Sequence, residues 1–151
     1  MKLAILGTRG IPAAYGGFET FAEELSRRLI QRGHQVAVYC RSSGGPPEHN
    51  GARLVHLPAP RHKYLETPCH TFLATLHLLV RRQDVALYCN AANAVFTPLA
   101  RLARIPVALN VDGLERRRRK WNCLARAWYR LSEWLATFCP NLIVTDAETI
   151  A

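Results

Sequence analysis

Lys2-Leu3-Ala4-Ile5-Leu6-Gly7-Thr8-Arg9-Gly10, continued by Ile11-Pro12-Ala13-Ala14-Tyr15-Gly16-Gly17-Phe18-Glu19-Thr20, is the stretch that decides the fold. A short apolar run ends on a glycine-rich loop, and a helical pattern starts directly after Gly16-Gly17. Lys2–Leu6 reads as a first strand. Phe18, Phe21, Ala22, Leu25 and Leu29 recur at the spacing of one helix face, and Gly33 stands where a C-terminal cap belongs. Glu23 to Arg27 and Glu24 to Arg28 add i,i+4 ion pairs.

The same alternation continues outward. Gln35–Cys40 and Arg53–Leu57 read as strands on either side of a polar Gly/Pro-rich loop, Ser42–Gly51. Thr67-Pro68 reads as an N-cap followed by a first-turn proline. It opens a helix through about Arg82 whose buried side is expected to carry Phe72, Leu73, Leu76, Leu79 and Val80. Val85–Cys89 reads as the fourth strand. A short helix follows from about Asn93, with Pro98 near its start, and Pro106–Val111 is the fifth strand. Beyond a basic loop, Leu124, Trp128, Leu131 and Leu135 mark a long helix, and Leu142–Thr145 a sixth strand. Thr145-Asp146-Ala147-Glu148 matches a capping box that opens one more helix. Strands alternating with helices argue for an α/β fold, a Rossmann-like parallel sheet with helices on both faces. The helix opened there is cut three residues after Glu148, which reads as the mark of a fragment spanning residues 1–151.

Composition narrows the classes. At 151 residues and 49% apolar, the chain has one domain's worth of core and is not of disordered composition. No run reaches the ~18 apolar residues of a membrane helix, and Gly7 ends the N-terminal apolar run too early for a secretory signal. A cytoplasmic location is expected. Five cysteines, with no C-x-x-C pair, read as small reduced core residues rather than metal or redox ligands. Lys and Arg number 20 against 11 acids, a formal charge of +9, so an anionic partner is expected.

Two glycines at a helix N-terminus let an anion approach the free N–H groups, and the helix dipole favours its charge. A plain helix-starting turn needs the same residues, but this loop sits at the carboxyl end of the first strand, where open α/β sheets bind ligands. A dinucleotide site fits poorly. The G-x-G-x-x-G pattern is absent, and the second strand ends in Cys40-Arg41 without an acid for a ribose hydroxyl. Arg41 would suit a 2′-phosphate, which keeps an NADP-binding oxidoreductase domain as an alternative.

Leu6-Gly7-Thr8-Arg9-Gly10-Ile11-Pro12 and Tyr15-Gly16-Gly17-Phe18-Glu19-Thr20 resemble the opening of the bacterial glycosyltransferase family 4 branch that includes rhamnosyltransferases of cell-surface polysaccharide assembly. The resemblance continues through Arg61-His62-Lys63-Tyr64-Leu65-Glu66-Thr67-Pro68, Cys89-Asn90-Ala91-Ala92-Asn93-Ala94 and Asn110-Val111-Asp112-Gly113-Leu114-Glu115 to Lys120-Trp121. It implies the N-terminal, acceptor-side half of a retaining transferase of the GT-B type, whose C-terminal donor-binding domain would lie beyond residue 151. The substrates implied are a nucleotide-diphosphate sugar, with rhamnose one option, and a saccharide or lipid-linked saccharide acceptor. No cofactor and no metal are implied, and the fragment alone is expected to be inactive. Gly16 and Gly17, with Arg9, map onto the donor diphosphate. Asp112 occupies the place of a polar residue against the transferred sugar, and attack is from the front face with the donor phosphate helping to take the acceptor proton.

Single residues carry more than one reading. Asp112 before Gly113 also suits a structural turn, and Glu19 also suits the helix dipole. Lys63, Glu66 and His70 could line an acceptor groove, with Glu19, Asn90 and Glu115 as further acceptor candidates. His77, amid leucines, reads as half-buried packing, and Asn93 as an N-cap. Arg116-Arg117-Arg118-Arg119-Lys120, with Trp121, Trp128 and Trp134 nearby, is either a solvated charge run or a patch for anionic lipid at the inner face of the membrane. Nucleic acid is a third option for which only charge speaks, and no specific nucleic-acid partner is expected.

Overall fold

A computed structural model of the protein describes residues 1–14, 16–62, 64–111 and 123–145. Strand β1 (Lys2–Leu6) leads into helix α1 (Gly17–Gln31) and strand β2 (Gln35–Arg41). The short β3 (Glu48–His49) and β4 (Ala52–Leu57) precede α2 (Glu66–Arg81) and β5 (Val85–Cys89). A 3-10 segment, Ala91–Phe96, runs into α3 (Thr97–Leu102), followed by β6 (Val107–Val111), α4 (Cys123–Phe138) and β7 (Leu142–Thr145).

The strands form one seven-stranded sheet in the order β3-β4-β2-β1-β5-β6-β7. All neighbours are parallel except β3 and β4. The chain winds outward from β1 through β2 to β4, then crosses back to β5 and winds the other way. This is a doubly wound, Rossmann-like α/β sheet.

Alternation along each strand sorts its side chains into two cores. Ile5, Val38, Leu54 and Leu87 face α1, which contributes Phe18, Phe21, Ala22, Leu25 and Leu29. Leu6, Tyr39, Tyr88 and Leu109 face the side of Ala74 and Leu78 from α2, Ala100 from α3 and Ala136 from α4. Helices thus cover both faces, as expected for a parallel sheet.

The end of α1 follows the expected cap. Gly33, at φ 81°, donates to Ile30 O at 2.9 Å, and His34 N donates to Leu29 O at 3.1 Å, the paired bonds of a Schellman motif. The ion pairs differ from expectation. Arg27 and Arg28 both bind Glu24, because Glu23 is drawn away to the Ala13 N–H and to His49.

Helix α2 departs further. Its N-cap is Leu65, not Thr67, and no side chain caps it. The His62 carbonyl starts it by accepting from the N–H of Leu65 and of Glu66. Pro68 then falls within the first turn, where its missing N–H has no intrahelical partner to lose. The buried residues are His70, Thr71, Ala74, Thr75 and Leu78, while Phe72, Leu73, Leu76 and Val80 are exposed. Of the expected set Leu79 packs on the core, and Phe72, although 43% exposed, sets its ring 6.1 Å from that of the core residue Phe96. The reason lies in the sheet. Tyr39 and Tyr88 take up much of the space beneath α2, where the small Thr71, Ala74 and Thr75 are buried together with His70 and Leu78, and Thr75 Oγ1 lies 3.0 Å from Tyr88 Oη.

Two smaller corrections follow the same logic. Asn90, not Asn93, caps the helical turn after β5, accepting from Ala92 N at 2.9 Å. In α4, Trp128 and Leu135 pack on the core, but Leu124 and Leu131 are exposed. Trp128 Nε1 and Ser132 Oγ instead converge on the Ala92 carbonyl at 3.0 and 3.1 Å. His77 is half-buried, as expected, and its Nδ1 lies 3.0 Å from Tyr39 Oη. The capping box at 145–148 extends outside the described residues.

Candidate active site

Because β1, β2, β4, β5 and β6 run parallel, their carboxyl ends gather at one edge of the sheet. The winding reverses between β1 and β5, and a doubly wound sheet opens its ligand crevice at that point. Gly7 leaves β1 there at φ 90°, and a Cβ would collide with the Cys89 carbonyl and the Asn93 side chain. The two strand ends approach this closely only because residue 7 is glycine.

The loop after Gly7 is pinned by carboxylates from α1. Arg9 N donates to Glu19 Oε1 at 3.0 Å, and Ala13 N donates to Glu23 Oε2 at 2.8 Å. The Ala13 N–H, and then His49, hold the Glu23 carboxyl below its usual pKa. Glu19, an acceptor candidate from sequence, is therefore buried and tied to the Arg9 backbone. It still lines a recess of about 180 Å³ shared with Arg9, Ser42 and His56.

Gly16 is the N-cap of α1, with φ 95° and ψ 156°, and a Cβ there would press on Glu19 Oε2. Gly17 differs: a Cβ would meet nothing within 4 Å. Space is open above the first turn, whose N–H groups point outward at the positive end of the helix dipole. Arg9 is exposed, and its backbone is tied to Glu19, whose carboxylate lies next to Gly16. Two glycines, a helix N-terminus and one arginine make a place suited to a phosphate.

Arg41 ends β2 on the other side of the loop. Its Nη2 donates to Gly7 O at 3.1 Å, its backbone N donates to Arg9 O at 2.9 Å, and its Nη1 lies 3.7 Å from Glu66 Oε1. The side chain is only 8% exposed. Burial pulls its pKa down, opposed by Glu66 and reinforced by the nearby Arg9 charge. His70, one turn after Glu66, is fully buried, and neither ring nitrogen makes a hydrogen bond of full geometry among the described residues. Burial first, and the Arg41 charge second, push its pKa down to about 4 against upward pulls from the Cys40 backbone and the Glu66 charge. The imidazole is neutral at physiological pH.

Sequence-based candidates are thus partly assembled. Arg9 and Glu19 line one recess, Gly16 lies against the Glu19 carboxylate with Gly17 next in the chain, Glu66 and His70 meet around Arg41, and Asn90 sits at the end of β5 with φ 75°. Asp112, Lys63 and Glu115, and the basic stretch Arg116–Lys120, lie outside the described residues. The structure adds Arg41 as the residue that joins the two groups. Its position at a strand's carboxyl end was visible in the sequence, but its bond to Gly7 spans 34 residues. Asn110 in β6 was quoted only as part of a motif. It is fully buried, and its side-chain nitrogen and oxygen both lack partners among the described residues.

The described part of the chain contains no helix long and apolar enough to cross a membrane. No curated protein matches the chain significantly. The profile of Glycosyltransferase Family 4 matches residues 15–150, from the glycine pair past the last strand. With a doubly wound sheet, a glycine-opened helix N-terminus at its switch point and a match over nearly the full length, the chain belongs to glycosyltransferase family 4.

Proposed function

We propose that this chain is the acceptor-side domain of a retaining transferase. It would help move a sugar from a nucleotide diphosphate to a saccharide or lipid-linked saccharide in surface polysaccharide synthesis. The observation that carries this reading is the open space over Gly17 at the N-terminus of α1, a helix whose Glu19 holds the backbone of the exposed Arg9. A donor diphosphate placed there gains the first-turn N–H groups and the guanidinium as the bond to the sugar breaks and charge grows on the leaving phosphate. The acceptor hydroxyl attacks the anomeric carbon from the side the phosphate leaves, and that phosphate takes up the hydroxyl proton. Asp112 is assigned to the transferred sugar, and Arg116–Lys120 to an anionic membrane surface. Arg41 does not support the dinucleotide alternative, since its guanidinium is turned back onto Gly7 O and Glu66.

The test uses Gly17→Val in the protein expressed from its complete reading frame, assayed with a panel of nucleotide-diphosphate sugars. A Cβ at this position meets nothing within 4 Å, so the melting temperature should hold within the small change a Gly-to-Val swap makes in a helix's first turn. Transfer should fall by at least a hundredfold. Undiminished transfer would remove Gly17 from the donor site, and a product of inverted anomeric configuration would refute the retaining course.

A further inference from the structure

Beside the donor opening lies a second, larger cleft of about 720 Å³, between the loop after β2 and the loop joining β4 to α2. Arg41, Ser42, Ser43, Arg61, His62 and Glu66 supply its polar lining. We propose that this cleft binds an oxyanion, a phosphate or carboxylate, carried by the acceptor. The word acceptor rests on the transferase reading above, whereas the oxyanion site stands on the cleft itself.

Charge is the first argument. Two guanidinium groups face one carboxylate, so the lining keeps a positive excess with Glu66 ionised. The second is the state of Arg41. It is more than nine-tenths buried, its Nε has no hydrogen-bond partner among the described residues, and its carboxylate partner Glu66 lies at a loose 3.7 Å, with Glu19 acting from further off. A buried cation needs fuller compensation than that, and burial already lowers its pKa. An anion arriving in the cleft supplies it. Arg41, held by Gly7 O and Glu66, contributes its charge from beneath, and the exposed guanidinium of Arg61 suits such a group because it offers parallel N–H donors to two oxygens.

The remaining lining fits the same ligand. Arg61 and His62 are exposed at the mouth, and the Ser43 hydroxyl lies on the opposite lip. Ser42 is already engaged, its Oγ 2.5 Å from His56 Nδ1, so it contributes a fixed rather than a searching group. The volume falls within the ~300–1,000 Å³ usual for small-ligand pockets, enough for a sugar unit with its anionic substituent. Arg41 also touches Gly7, which puts the oxyanion next to the donor loop.

Binding is measured by titration calorimetry on this chain. The ligands are inorganic phosphate, a saccharide 1-phosphate, a uronic-acid saccharide and the matching neutral saccharide. A short polyprenyl-diphosphate saccharide in detergent separates a lipid-borne phosphate from a free one. The anionic saccharides should bind at least tenfold more tightly than the neutral one. Arg61→Gln, an exposed change that leaves the core intact, should remove most of that difference, and Gly17→Val should leave it in place. Equal affinity for anionic and neutral saccharides, or an unaltered preference in Arg61→Gln, would overturn the proposal. Intact anion preference with no sugar transfer by the complete protein would refute the transferase reading and leave the anion site standing.

Discussion

Helices α1 and α2 have nearly the same length and lie on opposite faces of one sheet, yet they are built inside out relative to each other. In α1 the stripe of Phe18, Phe21, Leu25 and Leu29 packs on the sheet. In α2 the stripe of Phe72, Leu73, Leu76 and Val80 turns to the outside, and the opposite side, with His70, Thr71, Ala74 and Thr75, meets the sheet. Periodicity states which residues share a face. It does not state which face the core takes. That depends on the volume the strands present, and under α2 they present two tyrosines, Tyr39 and Tyr88.

The sharpest way to break this comparison is a pair of truncations in α2. Leu78→Ala, at a fully buried site, should cost about 2–5 kcal/mol in urea unfolding. Leu76→Ala, at 41% exposure, should cost less than about 1 kcal/mol. Equal losses would show that the outer stripe is covered after all.

The next effect concerns the buried histidine that only α2 carries. Folded His70 has a pKa of about 4 against a usual value of 6.5, so between those limits the unfolded chain binds a proton that the native protein does not. Stability therefore rises with pH through this window, is fully present above about 6.5 and is lost as pH falls toward 4. The span amounts to about 3 kcal/mol. His70→Gln should flatten the difference between stabilities at pH 7 and pH 4.5 relative to the parent, as followed by denaturant melts at each pH. An unchanged slope would place the titration elsewhere.

Smaller again is the helix end. Gly33→Ala forces a side chain into φ 81° and should cost roughly 1 kcal/mol. Helix α2 has no such glycine, ending instead at Arg82 with φ 17°. The least effect belongs to Val80→Ser, at 81% exposure, expected to stay within about 0.5 kcal/mol by thermal melting.

Much of the fold was legible because strands and turns are local. Lys2–Leu6, Val85–Cys89 and Leu142–Thr145 fall where their sequence pattern puts them. Gly33 caps α1 as its position implies. What escaped depends on distant partners. The two-residue β3 has no apolar pattern and exists only through pairing with β4. Glu23 leaves its helical neighbour Arg27 for Ala13 and for His49, 26 residues away. The glycine opening was readable for the same local reason, whereas the union of Arg41, Glu66 and His70 required the sheet order. Asn93 was mistaken for a cap because its side chain donates back to the Cys89 carbonyl in a buried turn.

The smallest strand has a consequence for how copies of this protein meet. Glu48 and His49 run antiparallel along the margin of β4, and His49 is fastened to Glu23 of α1. A parallel sheet ending on β4 would offer another chain a run of unpaired backbone groups. Two polar residues held by a side chain are too short and too polar to act as such a template, so where β3 covers the start of β4 the sheet offers a neighbour little to pair with.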